Sequence, residues 1–381
     1  MRVGVNARLL HSPETRGWNR YTVNLLAALP PLGVDLVLYT DRPIHPSHLA
    51  RLPEGSFVER VGAIRPYTAW EQFWLPAQCR RDRVDVLHAP GNFGLPWSCP
   101  CPRVLTLHDA IDHVYYAPRR SFRERWGLLS LRGRFAQWVA RTRAERVITD
   151  SEHARGDLVG HLGLPAAKVR AIHLAADPVL AAPVSPEAQA ETRARLDLGR
   201  PYVLYVGGWE GRKNLPLLVR GFADAGLDGV DLVLGGGREG QRAALVDLAR
   251  SLGVDGRLRP LGWVDEADLP ALYASALCLA YPSEYEGFGL QAVEAMTVGC
   301  PVLAARATSL PEVLGTGGET FALDDPAELA ALLRRVATEP AVREDLARRG
   351  RERAADFSWR KAAEETLSVY KELTCASAVR S

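Results

Sequence analysis

Two glutamates, Glu286 and Glu294, stand in the stretch PSEYEGFGLQAVEAMTVGCP, with Gly287, Phe288 and Gly289 between them. The apolar run Leu277-Cys278-Leu279-Ala280-Tyr281 just upstream reads as a buried strand. The residues from Leu290 onward read as a helix, so a glycine turn joins the two. The first backbone N–H groups of a helix have no partner inside it, and such a turn makes an anion site. Leu290 and Gln291 would supply those groups. Carboxylates beside a bound anion can then accept hydrogen bonds from hydroxyls. Phosphate on amides with a polyol on carboxylates is the chemistry of a sugar nucleotide.

A second constellation is Tyr205-Val206-Gly207-Gly208-Trp209-Glu210-Gly211-Arg212-Lys213-Asn214. A strand ends at Val206, a glycine loop follows, and two adjacent cations precede the next helix. Arginine can chelate a diphosphate, and lysine acts on it as a point charge. Alone, an Arg-Lys pair reads equally well as ordinary surface; beside Glu286 and Glu294 it reads as a diphosphate site. Asn214 is expected to cap the helix that begins at Leu215. Gly235, Gly237 and Gly240 can be drawn as a G-x-G-x-x-G dinucleotide fingerprint, but no acidic residue ends the following strand as that motif requires.

With these motifs the chain resembles the retaining family-4 nucleotide-sugar glycosyltransferases (glycosyl transferase group 1) of GT-B architecture, from Asn6 to Phe357-Ser358-Trp359. The resemblance implies that Glu286 contacts donor-sugar hydroxyls and Glu294 holds the ribose. It places Arg212 and Lys213 on the diphosphate and the amides of Gly289 and Leu290 on phosphate. Gly287, Phe288 and Gly208 would line the same donor site, and Val264 would give backbone contacts beside the nucleobase. His108, in Thr106-Leu107-His108-Asp109, would sit beside the donor sugar and could donate to a sugar hydroxyl. Asp109 could orient His108, touch the acceptor or cap a turn. Ser151 is expected to cap a helix, and the run from Ser309 to Val313 to be structural. The first loop, Thr15-Arg16-Gly17-Trp18-Asn19-Arg20-Tyr21, departs from the family pattern: only Gly17 remains of a glycine pair or triplet that binds phosphate. Arg16 and Trp18 are bulky and, with Asn19 and Asp109, are the acceptor-side candidates. Asn19 can adopt the left-handed conformation the lost glycine would have supplied.

The implied activity is hexosyl transfer (EC 2.4 class) from a nucleoside diphosphate sugar with retention at the anomeric carbon. GDP-mannose is the first donor to consider, and a glycan, lipid-linked or small molecule the acceptor. No D-x-D triplet occurs, so metal independence is expected, with no cofactor beyond the donor. An alternative is a GT-B sugar-nucleotide epimerase acting on the donor without an acceptor.

Composition bounds these readings. A chain of 381 residues with 47% hydrophobic and 24% charged residues suits a globular protein of two domains. No uncharged apolar run approaches about 18 residues, so no transmembrane helix is expected. The N-terminus enters a strand pattern directly, which points to the cytoplasm, and no nucleic-acid partner is expected. Cys99 and Cys101 are two of six cysteines, without a second Cys/His pair at zinc-site spacing, and all six are expected as free thiols. Residues 1–180 carry 24 Lys/Arg against 16 Asp/Glu, leaving 23 against 29 in the remainder. The excess concentrates between Arg119 and Arg146, where Phe122, Trp126, Leu128, Leu129, Phe135 and Trp138 interleave with arginines. That segment reads either as a core-facing stripe with a solvated basic face or as a helix lying on an anionic membrane.

Apolar runs at 3–6, 35–39, 84–88, 104–108, 146–150 and 169–174 alternate with helical patterns, among them 20–29, 69–80, 121–141 and 152–161. The alternation restarts at 202–206, 231–234, 258–261, 277–281, 302–305 and 321–323. Strand–helix alternation of this kind predicts α/β architecture with parallel sheets. The expected fold is GT-B: two Rossmann-like doubly wound domains facing across a cleft. Residues 1–180 would form the acceptor-side domain, 181–358 the donor domain, and 359–381 a helix crossing back to the first. The proline- and alanine-rich stretch 177–200 is the candidate linker.

Overall fold

The computed structural model describes residues 1–13, 17–119, 135, 138–237 and 239–378. The chain divides into two compact units, 1–174 with 358–381, and 175–357. In the first, seven strands form one parallel sheet: β1 (Arg2–Asn6), β2 (Asp35–Thr40), β3 (Phe57–Val61), β4 (Val86–Ala89), β5 (Arg103–Thr106), β6 (Arg146–Thr149) and β7 (Val169–Ala171). Their order is β3-β2-β1-β4-β5-β6-β7. The second unit holds β8 (Tyr202–Val206), β9 (Asp231–Gly235), β10 (Leu258–Gly262), β11 (Cys278–Tyr281), β12 (Val302–Ala305) and β13 (Glu319–Phe321), also parallel, in the order β10-β9-β8-β11-β12-β13.

Both orders reverse beside the first strand of the unit, between β1 and β4 and between β8 and β11. At such a switch point the two connections leave in opposite directions and open a crevice at the carboxyl ends of the strands. The central strands are continuous apolar runs because both faces are covered; β4, β11 and β12 are buried throughout. That property made most strands legible from sequence. β3 was not, because it is an edge strand whose Val58 and Val61 are exposed, and its FVERV run lacks a clear alternation.

The candidate linker is more structured than its composition suggests. Residues Pro186–Arg195 form a helix, with Ser185 Oγ accepting the Ala188 N–H at 3.2 Å. Proline at the first helical position and alanine, glutamate and arginine after it favour this start. The helix Trp359–Ala378 belongs to the first unit, where Tyr370 Oη lies 2.7 Å from His88 Nδ1. Arg16 and most of the basic segment, including Phe122, Trp126, Leu128 and Leu129, lie outside the described residues. Of its aromatic residues, Trp138 stacks on Trp97 at 4.2 Å, with the Arg143 guanidinium 3.7 Å from the Trp97 ring centre. Among the described residues no helix is long and apolar enough to cross a membrane.

Candidate active site

Most of the predicted donor residues gather at the carboxyl ends of β8 and β11, on the switch point of the second unit, whereas Val264 follows β10 and Gly17 lies in the first unit. The connection after β8 turns through Gly211–Lys213, and the Glu284 N–H donates to the Arg212 carbonyl at 2.7 Å, tying it to the connection after β11. Glu286 Oε1 accepts from Arg212 Nη1 at 3.1 Å and from Lys213 Nζ. Lys213 is 4% and Glu286 8% exposed and Arg212 is half-buried, so two cations share one buried carboxylate. Burial would raise the Glu286 pKa, but the charges of Lys213 and Arg212 outweigh it and hold the carboxyl below its ordinary range. Burial, with repulsion from Arg212, lowers the Lys213 ammonium although Glu286 opposes the shift.

The turn that presents Glu286 is held by Ser309, in the run read as structural, and by Thr308 just before it. Thr308 Oγ1 accepts the Glu286 N–H at 3.0 Å, and Ser309 Oγ–H points at the carbonyls of Glu286 and Phe288, 3.0 and 2.9 Å away. Gly289 then starts the Leu290–Val298 helix at φ 98°, and a Cβ there would fall 2.6 Å from Leu310 Cδ2. Only glycine fits this turn without strain. Glu294, four residues into the helix, is 1% exposed and accepts from Tyr273 Oη at 3.0 Å. Gly208 accepts from Tyr205 Oη through its carbonyl at 2.6 Å. Val264 packs beside Gly235. The 235–237 triplet serves close approach: Gly236, at φ 92°, lies against the Gly207 carbonyl.

Asn214 corrects an expectation. It occupies the cap position of the Leu215–Ala225 helix but is left-handed, at φ 47°, with no side-chain cap bond. The sharp reversal that buries Lys213 takes precedence over capping. Ser151 does cap its helix, accepting the Ala154 N–H at 3.0 Å.

In the first unit His108 follows β5 and is buried. Its Nδ1 lies 2.9 Å from Asp150 Oδ2 and its Nε2 3.1 Å from the Pro90 carbonyl. Both neighbours are acceptors, which favours the doubly protonated ring. Burial lowers the His108 pKa, yet Asp150 raises it further, and the net shift is upward. With both nitrogens engaged, a hydrogen bond from His108 to a sugar hydroxyl would have to displace Pro90. The orienting carboxylate is therefore Asp150, at the end of β6, and Asp109 instead accepts the Ile111 N–H at 3.0 Å and closes a turn. Asn92 Oδ1 accepts the His108 N–H at 2.9 Å. Behind it, His88 Nε2 and Tyr21 Oη both contact Thr106 Oγ1, at 2.8 and 3.0 Å. Burial and the His108 charge push His88 down to about 3.

The altered first loop also reads differently. Gly17 opens the helix Gly17–Ala28, and among the described residues nothing lies within 4 Å of its Cβ position. Trp18 stacks parallel to His108, with ring centres 6.0 Å apart. Asn19 is helical and not left-handed, and its Nδ2 donates to the Leu9 carbonyl at 3.3 Å. Asp150, Asn92, Tyr21, Thr106 and His88 escaped the sequence reading. Only the pairing of β5 with β6, which aligns Thr106 with Ile148, brings Asp150 to His108.

Two parallel doubly wound units, the second with an Arg–Lys–Glu cluster at its switch point, have the GT-B architecture. The glycosyl transferases group 1 model matches residues 188–353 and the Glycosyltransferase Family 4 model residues 15–180. O-antigen chain mannosyltransferase B of Escherichia coli is 30% identical over 297 residues, 77% of this chain and 76% of its own. A D-inositol 3-phosphate glycosyltransferase of Corynebacterium diphtheriae is 28% identical across 94% of this chain and 90% of its own. Among solved structures, Anabaena Alr3699/HepE in complex with UDP and glucose superposes with a TM-score of 0.77 at 20% identity, covering 98% of this chain and 100% of that one. WaaG, a glycosyltransferase involved in lipopolysaccharide biosynthesis, superposes with a TM-score of 0.72 at 17% identity, covering 97% of this chain and 99% of that one. The chain belongs to the family-4 glycosyltransferases, and it is a glycosyltransferase.

Proposed function

We propose that the protein transfers mannose from GDP-mannose, with retention and without a metal ion at the donor site, to a glycan, lipid-linked or small-molecule acceptor. The observation that carries this reading is the Arg212–Lys213–Glu286 cluster beside the Gly289 helix start. The bond from the anomeric carbon to the diphosphate oxygen breaks as the acceptor oxygen attacks the same face. The acceptor proton passes to the departing phosphate. Arg212, Lys213 and the amides of Gly289 and Leu290 offset the charge that develops on that diphosphate. Glu286 orients the sugar hydroxyls and Glu294 the ribose. The choice of mannose leans on relatives named as mannosyltransferases, one of them 42% identical over 129 residues.

The test is turnover of GDP-mannose, UDP-glucose and UDP-N-acetylglucosamine against candidate acceptors, with the product anomer read by NMR. A retained product with GDP-mannose preferred supports the reading, as does a rate indifferent to added Mg²⁺ or Mn²⁺. An inverted product refutes it, and donor conversion without acceptor assigns an epimerase instead.

A further inference from the structure

The Cys99-Pro100-Cys101 pair has no zinc-spaced partner along the chain, but the fold supplies a third thiol. Cys79, on the helix Leu75–Asp82, brings its Sγ to those of Cys99 and Cys101, all three within 4.8 Å of one another. Cys99 and Cys101 Sγ are 3.5 Å apart. Cys79 is 1% exposed and the other two are half-buried, against a wall that includes Tyr39, Trp70, Leu75 and Val84. At zinc–sulfur distances of about 2.3 Å, the sulfurs of a tetrahedral site stand about 3.8 Å apart. One edge of the triangle, 3.5 Å, lies close to that spacing, and no edge exceeds 4.8 Å. A disulfide would instead have to draw two of the sulfurs to about 2.05 Å and leave the third unused.

We propose that Cys79, Cys99 and Cys101 form a tri-thiolate site for one zinc ion, separate from the donor site. Zinc suits sulfur ligands, and the three thiols release their protons to solvent as it binds. Among the described residues no His, Asp or Glu joins the three, so water completes the tetrahedron. The site has a structural consequence. Cys99 and Cys101 end the connection between β4 and β5, which also carries Asn92 on the His108 amide and Gly94, whose carbonyl accepts from Asn6 Nδ2 at 2.7 Å. The Trp97 N–H of the same connection donates to Gln72 Oε1 at 2.7 Å. Zinc would pin the far end of this connection to the helix bearing Cys79 and steady the residues around His108.

The experiment uses the full chain, purified reduced and without chelator, with zinc measured by mass spectrometry and Co²⁺ as a spectroscopic substitute. The wild type is expected to hold about one zinc per chain and, with Co²⁺, to show thiolate-to-metal charge-transfer absorption. Cys79→Ser should lower the zinc content about tenfold or more, and Cys375→Ser should leave it unchanged. Because Cys79 is buried, the double variant Cys99→Ser/Cys101→Ser, checked for fold by circular dichroism, provides a second test with the same expected loss. Amide exchange across 90–103 should slow on zinc addition in the wild type and not in the double variant. Equal metal content in the wild type and the double variant overturns the proposal. So does a non-reduced mass lower by two hydrogens whose reduced form takes up no zinc, which would assign a disulfide.

Discussion

Glu286→Gln separates the two duties proposed for the donor site, because it removes a negative charge beside Arg212 and Lys213 and keeps the side chain's shape. Arg212 Nη1 stands 3.1 Å from Glu286 Oε1, and Lys213 Nζ contacts the same oxygen. At an effective dielectric near 20, one such pair is worth roughly 5 kcal/mol before desolvation is charged against it. The net worth of a hydrogen bond to a charged group is smaller, about 1.5–3 kcal/mol. A nucleoside diphosphate competes with the carboxylate for these two cations and is repelled by it. Relieving even one such interaction should tighten GDP or UDP binding about tenfold. Turnover should move the other way, falling about 100-fold or more, since the glutamine orients the sugar poorly. Isothermal titration with GDP and UDP, alongside initial rates, reads both. Unchanged or weaker diphosphate binding in Glu286→Gln would refute the competition argument. A variant with wild-type turnover would refute the role of Glu286 in the sugar site. The depressed Glu286 pKa sets the pH window: its contribution is present above the ordinary carboxylate range and is lost only as pH falls through the lower folded value. The competition therefore operates across the neutral range of any assay.

Lys213→Ala should lose about 100- to 1,000-fold in turnover while circular dichroism stays native, because Arg212 still pairs with Glu286; near wild-type transfer would sink the diphosphate assignment. Gly289→Ala should destabilise the chain by about 1–3 kcal/mol in urea unfolding, since φ 98° and the approach to Leu310 both disfavour a Cβ. The raised His108 pKa predicts that its stabilisation is full below the ordinary histidine value near 6.5 and fades as pH rises through the higher folded value. Thermal midpoints measured from about pH 5 to about pH 9 should show that decline in the wild type, and Asp150→Asn should flatten it while lowering stability on the acid side.

What could be read from the chain followed a physical line. Apolar runs such as Tyr202–Val206 and Val302–Ala305 are buried on both faces, so their composition alone marks strands, with the observed bounds. The Arg212–Lys213–Glu286 cluster was legible because short loops hold it: Arg212 and Lys213 lie within one turn, and Glu286 to Glu294 span one glycine turn and a helix start. The residues around His108 were not, because Asp150, Asn92 and His88 reach it across strand pairing. For the same reason the Cys79 partner of Cys99 and Cys101 is invisible in their spacing. Edge strand β3 and the helix Pro186–Arg195 were missed for local reasons: exposed valines in one case, proline and alanine read as linker in the other.

The Arg212–Lys213–Glu286 cluster also argues for function by its cost. A carboxylate and two cations at this burial forfeit several kcal/mol of hydration each, and apolar side chains of similar volume would often hold the fold as well or better. Glu286→Ala makes the point measurable, because it leaves the buried Lys213 beside a half-buried Arg212 with no carboxylate between them, and should lower stability by about 3–5 kcal/mol. A nucleoside diphosphate supplies the missing negative charge. At 100 times its dissociation constant it should restore about 2.7 kcal/mol, and the rise in thermal midpoint on adding GDP or UDP should be larger in Glu286→Ala than in the wild type. An equal or smaller rise in the variant would mean that the two cations are there for the carboxylate and not for the diphosphate.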